Sequence, residues 1–125
     1  MALAKDVMGG GFSAGQALAL GGTTGSLAAT GSVQGDAALV TASTMIITGA
    51  DGTKGIILPA ANQGESVTLF NNAASTCKVY PPTGAAITVI GTGLGSANTA
   101  HSFLTFKSAT YSCFSSTQWF VDVSA

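Results

Sequence analysis

From Asp36 to Val123 the sequence is a succession of short β-rich runs, each closed within a few residues by a turn signal. No stretch carries the 3.6-residue apolar period of an amphipathic helix. Ala37 to Thr41 and Thr44 to Thr48 come first. Gly49-Ala50-Asp51-Gly52 is a turn, because Asp-Gly supplies positive φ at little steric cost. Gly55-Ile56-Ile57-Leu58 is a strand that Pro59 stops. Ser66 to Phe70 sets Val67 and Leu69 against Thr68 and Phe70, and Asn71-Asn72 turns the chain. Cys77 to Tyr80 closes at Pro81-Pro82. Ile87 to Ile90 leads into Gly91-Thr92-Gly93-Leu94-Gly95, read as a flexible connection. Ser102 to Lys107, Thr110 to Phe114 and Gln118 to Val123 complete the series, with turns at Ser108-Ala109 and Ser115-Ser116-Thr117. About eight short strands at 8–12-residue spacing predict an all-β fold, an antiparallel β-sandwich or jelly-roll-like body. No repeat of fixed period stands out.

The segment before this body differs in kind. Residues 1–35 hold nine of the seventeen glycines and one aromatic, Phe12. Met1 to Gly11 can begin as a short helical turn, which Gly9-Gly10-Gly11 ends. Leu18 and Leu20 alternate before Gly21-Gly22. Such chain buries too little apolar surface to offset its own ordering entropy. The expected organisation is an extended N-terminal arm over 1–35 and a β body over 36–125. The arm is expected to contact a partner, with Lys5, Asp6, Phe12, Leu18 and Leu20 as its candidate binding residues.

Charge narrows the function classes. Four lysines, no arginine and five acids give a net charge of −1, and charged residues make up only 7% of the chain. A protein that grips phosphates needs a basic surface, so no nucleic-acid partner is expected. Disorder throughout is equally disfavoured, since 46% of residues are hydrophobic. The first eight residues contain Lys5 and Asp6 and run into glycines, which is not the pattern of a signal peptide. No apolar run approaches the roughly 20 residues of a membrane helix, and no membrane partner is expected. Cys77 and Cys113 read as buried thiols, as in a reducing compartment. A Cys77–Cys113 bridge is the alternative and requires their strands to be neighbours.

Signals for catalysis are sparse. Gly11-Phe12-Ser13-Ala14-Gly15 matches a nucleophile elbow, and Asp51 and His101 follow in triad order. The elbow requires a strand-to-helix turn, which the glycine-rich segment does not offer. His101 is the sole imidazole, too few ligands for a zinc site, and reads as a surface or interface loop residue. Pairing His101 with Cys77 or Cys113 as a dyad lacks a nearby cation to lower the thiol pKa. Asp36, Asp51, Glu65 and Asp122 are scattered singly. No catalytic residue, metal or cofactor is expected. The C-terminal aromatics Tyr111, Phe114, Trp119 and Phe120 could make a sugar-stacking platform or a core. A small body needs its large side chains inside. Strand alternation places Trp119 with Val121 inward, and Phe120 with Asp122 outward, at an oligomer interface.

Gly55-Ile56-Ile57-Leu58-Pro59, then Gly64, Val67, Leu69 and Asn71, then Val79-Tyr80-Pro81-Pro82-Thr83-Gly84-Ala85-Ala86-Ile87, and the closing Gln118-Trp119 hairpin carry a resemblance. Over roughly 36–123 the chain resembles small virion proteins of tailed bacteriophages, the capsid decoration (cement) and head-fibre class. The resemblance implies a homotrimeric all-β body on the outer surface of the head, often at threefold positions, with the major capsid protein as partner. Similar modules occur in phage tail fibres, where a host-surface glycan would be the ligand. A small hydrolase using Ser13 is the third alternative weighed, from a different class, and the missing elbow context stands against it.

Overall fold

The computed structural model describes residues 23–124. Their architecture is all-β, in two mixed sheets. The strands in chain order are β1 (Thr24–Ala28), β2 (Ala38–Leu39), β3 (Thr44–Thr48), β4 (Gly55–Ile57), β5 (Ser66–Asn71), β6 (Cys77–Tyr80), β7 (Ala86–Val89), β8 (His101–Phe103), β9 (Ser108–Ser115) and β10 (Gln118–Val123). A single 3-10 turn, Gln34–Asp36, lies between β1 and β2. The larger sheet has the order β1-β3-β5-β9-β10-β7, and the smaller β2-β4-β6-β8.

The expected antiparallel topology is corrected here. Successive strands from β1 to β9 alternate between the two sheets, and β1, β2, β3, β4 and β6 each lie beside the strand two positions later in the chain, whereas β5 lies beside β9 and β7 beside β10. The pairs β1–β3, β3–β5, β2–β4 and β4–β6 are therefore parallel. This is solenoid-like winding, in which each circuit buries its inner face against the next. Between strands, antiparallel pairing is limited to β5–β9, β9–β10 and β6–β8, with one further antiparallel bridge from Thr30 to Gly55, while β7 lies parallel to β10 at the far edge.

β1 and the turn after it fall within the stretch read from composition as arm. Thr24 to Ala28 pair in register with Thr44 to Thr48 on β3. Ala29 is buried in the core, and the Asp36 carboxylate accepts from the Ser32 and Val33 amides at 3.0 Å. The body thus reaches back at least to Thr24. Two expected strands also shrink: the run at Ala37 to Thr41 keeps only β2, and the run at Ser102 to Lys107 keeps only β8. The Gly91–Gly95 connection is tied down at its end, where the Gly95 amide donates to Thr88 Oγ1 at 2.9 Å.

Alternation sorts each strand into a core face and an outer face. Across the larger sheet one inner row runs Val67, Tyr111, Val121, Val89 and another runs Cys113, Trp119, Ile87. Ile56, Cys77, Val79 and Phe103 of the smaller sheet belong to the same hydrophobic cluster. Trp119 is fully buried there, as its alternation with Val121 predicts. Its indole Nε1 has no hydrogen-bond partner. Gly55 sits where parallel neighbours crowd it. A Cβ there would come within 2.8 Å of both the Lys78 carbonyl and the Tyr80 ring.

Candidate interaction surface

The outer face of the larger sheet is where the sequence leaves apolar residues without intrachain cover. Met45-Ile46-Ile47 and Leu69-Phe70 are apolar at consecutive positions, and neighbours on a strand point to opposite faces. Met45, Ile47 and Leu69 take the core, so Ile46 and Phe70 face outward and are 44% and 42% exposed. They are direct neighbours on β3 and β5, in a row that continues to Ser26 and Ser108. The next row is Thr24, Thr44, Thr68 and Thr110. From β1 to β9 both rows are uncharged, and the second ends on β10 at Asp122.

Phe106 extends this patch from the turn before β9. It is 70% exposed, and its backbone lies in the left-handed region at φ 56°. That conformation is costly for a bulky side chain and persists only where its surroundings impose it. The constraint is Asn71, almost wholly buried at the end of β5. Its carbonyl accepts from the Phe106 amide at 2.8 Å, and its amide donates to the Lys107 carbonyl at 3.0 Å. The Asn71 side chain donates to the Ser75 and Phe103 carbonyls and accepts from the Ala73 amide. Ile46, Phe70 and Phe106, with Lys107, Ser108 and Ser124, line an open groove of about 560 Å³.

At the other end of the same face stands a second aromatic group. Phe114 is 65% exposed and meets Phe120 edge to face, with ring centroids 5.9 Å apart. The structure places Phe120 half-buried on the outer face, opposite Ser112 of β9 and Thr88 of β7. The turn before β5 lies beside this end, where the Cys113 amide donates to the Glu65 carbonyl at 2.8 Å.

The candidates for chemistry are distributed differently. His101 is not a loop residue but the first residue of β8. Its Nδ1 lies 2.8 Å from the Tyr111 hydroxyl, bridging the two sheets. Burial lowers the His101 pKa and raises that of Tyr111 well above the ordinary phenol range. Burial also pushes the Cys77 thiol up to about 12 and raises Cys113, so both thiols are poor nucleophiles at neutral pH. Cys77 and Cys113 are free thiols in different sheets. Asp51 is committed to its turn: its carboxylate accepts from the Thr53 hydroxyl and amide and the Lys54 amide, which lower its pKa to about 2. No group of three or more His, Cys, Asp or Glu with metal-binding geometry occurs among the described residues. Ser13 and the arm candidates Lys5, Asp6, Phe12, Leu18 and Leu20 lie outside the described residues. Asn98, at φ 62°, accepts from the Gly84 amide and the Gln34 side chain and serves as a staple between loops.

Sequence reasoning singled out Phe120 on this surface but missed Ile46, Phe70 and Phe106. The consecutive apolar pairs were the available signal for the first two. No protein family, curated protein or solved structure was found to match this chain.

Proposed function

We propose that this protein is a structural component of a phage virion, a capsid decoration (cement) protein that binds the outer surface of the head as a homotrimer. In this reading its two sheets form a sandwich, its partner is the major capsid protein, and it carries out no reaction. The observation that carries the reading is the outer face of the larger sheet, where Ile46, Phe70 and Phe106 are presented to solvent as one apolar patch, with Phe114 exposed at the other end of the same face. Contiguous exposed apolar surface of this kind marks an interaction site. The residues of the Tyr80-Pro81-Pro82-Thr83-Gly84 stretch and the Gln118-Trp119 hairpin support it through their resemblance to that class. A cement protein adds binding free energy only to the assembled shell, and so shifts the equilibrium toward it. The glycan-binding fibre module remains the second reading, favoured by the exposed Phe114 beside Phe120.

The test is to mix the purified protein with expanded, undecorated heads. Co-sedimentation in saturable, symmetric amounts and a raised temperature of shell disruption are expected. Absence of sedimentation, with retention on a host-glycan column, would replace this reading with the second.

A further inference from the structure

The winding leaves an edge open at its N-terminal end. β2 is the outermost strand of the smaller sheet and runs parallel to β4. Directly after it, the Val40 amide donates to the Ile57 carbonyl at 3.0 Å. Leu39, the alternate residue, therefore turns its own N–H and C=O to the open side. Ala38 packs against the core and Val40 is buried, while the Leu39 side chain is exposed on the outer face. Such an edge is a template for one more strand. The end of a wound stack also needs a cap over its last apolar layer. That layer is thin here, because the inward residues of β1 are Gly25 and Leu27, beside Met45 and Ile47.

The stacking at this end fixes what fits the edge. Each residue of β1 lies twenty positions before its partner on β3, from Thr24 beside Thr44 to Ala28 beside Thr48. The same register already holds at the preceding corner. The Thr44 amide donates to the Thr23 carbonyl at 2.9 Å. The Thr23 amide donates to Ser43 Oγ at 2.7 Å, and Ser43 Oγ donates to the Thr23 carbonyl at 3.0 Å. Carried upstream, this register sets Leu18 beside Ala38, Ala19 beside Leu39 and Leu20 beside Val40. The alternation matches position by position: both leucines fall on inward positions and the small alanine on the outward one. Reach matches as well, since Leu20 to Thr24 spans the corner with the same number of residues as Val40 to Thr44.

We propose that the open edge of β2 is the docking site for residues 17–20 of the same chain, which lie outside the described residues. They add a parallel strand in the register of β1 on β3, and Leu18 and Leu20 close the end of the core over Ala38 and Val40. A slip of one residue would turn both leucines to solvent, so burial specifies the register. Leu18 and Leu20 are then committed within the chain. On the proposed decoration reading, that leaves Lys5, Asp6 and Phe12 of the arm for the capsid; the docking itself does not rest on that reading.

Paired cysteines test the docking in the full chain, where the native thiols Cys77 and Cys113 are buried. Ala19→Cys with Leu39→Cys puts two outward thiols on neighbouring strands, within disulfide reach. An intrachain bridge is expected under mild oxidation. Gln16→Cys with Leu39→Cys should stay reduced over the same time, because three residues out of register is about 10 Å along a strand. Hydrogen exchange gives a second readout. The Leu39 amide should exchange about tenfold or more faster in Leu18→Ser/Leu20→Ser than in the unmodified protein. The Val40 amide, bonded to Ile57 of β4, should keep its rate. Ala17→Ser/Ala19→Ser, at the outward positions, should change neither. Bridging of both cysteine pairs or of neither, a bridge between two chains rather than within one, or a Leu39 amide indifferent to the leucines would each overturn the docking. Head binding is scored separately. A double-serine variant that keeps the Leu39 rate but no longer co-sediments with heads would overturn the docking and return Leu18 and Leu20 to the partner surface. The expected bridge and exchange rates without any co-sedimentation would overturn only the decoration reading.

Discussion

The Tyr111 hydroxyl of β9 lies 2.8 Å from His101 Nδ1 of β8 and joins the two sheets by a side-chain hydrogen bond. With the imidazole proton on Nε2, the phenol donates and Nδ1 accepts; with it on Nδ1, the ring donates to the phenol oxygen. Tyr111 also meets the Phe103 ring edge to face at 6.4 Å. The pair is therefore a polar clasp set into an aromatic wall, where burial disfavours a charged histidine.

That preference makes stability depend on pH. Burial lowers the His101 pKa from its ordinary 6.5, so between 6.5 and the folded value the unfolded chain binds more protons than the native one. Stability then rises with pH through this window and falls as acid is added below about 6.5. Denaturant midpoints measured at pH 7.5 and pH 5 should fall more for the unmodified protein than for His101→Gln. Equal falls in the two proteins would show that His101 does not carry the effect.

Trp119→Ala should cost about 3–5 kcal/mol, the range for large aromatic truncations in a core. The ring is fully buried between Cys113 and Ile87. An unchanged thermal midpoint would contradict the packing.

Phe106→Gly should raise monomer stability by about 1 kcal/mol. Glycine relieves the left-handed backbone strain of a side chain that packs little of its own surface, less its greater unfolded entropy. Chemical denaturation of the variant measures it.

Gly55→Ala should destabilise by about 1–3 kcal/mol, the cost of overpacking. The added methyl meets the Lys78 backbone and the Tyr80 ring, whose hydroxyl is tied to the Ser32 carbonyl. Thermal melting of the variant checks it.

Cys77 and Cys113 should resist thiol reagents in the native protein at pH 8 and react only as fast as the chain opens. Burial holds Cys77 near 12 and raises Cys113. Labelling with a chromogenic disulfide, with and without denaturant, reads this directly. Rapid native labelling of either residue would contradict its burial.

Local rules made much of the fold legible. Period-2 alternation and turn chemistry marked β3 to β7, β9 and β10, put Trp119 and Val121 inside and turned Phe120 outward, because these depend on neighbours in sequence. Which strands pair was not legible. An 8–12-residue spacing suits a hairpin as well as a half-circuit to the opposite sheet, and turns of unequal length between Thr24, Thr44 and Thr68 hid the winding that stacks them. β1 was missed for the same reason: Thr24 to Ala28 is too small and polar to read as strand, and becomes one by lying against β3. The candidate surface divides in the same way. The pairs Ile46-Ile47 and Leu69-Phe70 determined that some apolar side chains must face out, but only the sheet register brought Ile46 and Phe70 together. Only the bonds from Asn71 fixed Phe106 beside them in a conformation its own sequence disfavours. Alternation is a property of the chain, whereas pairing, register and imposed strain arise from contacts between segments far apart in sequence, which the closed structure alone decides.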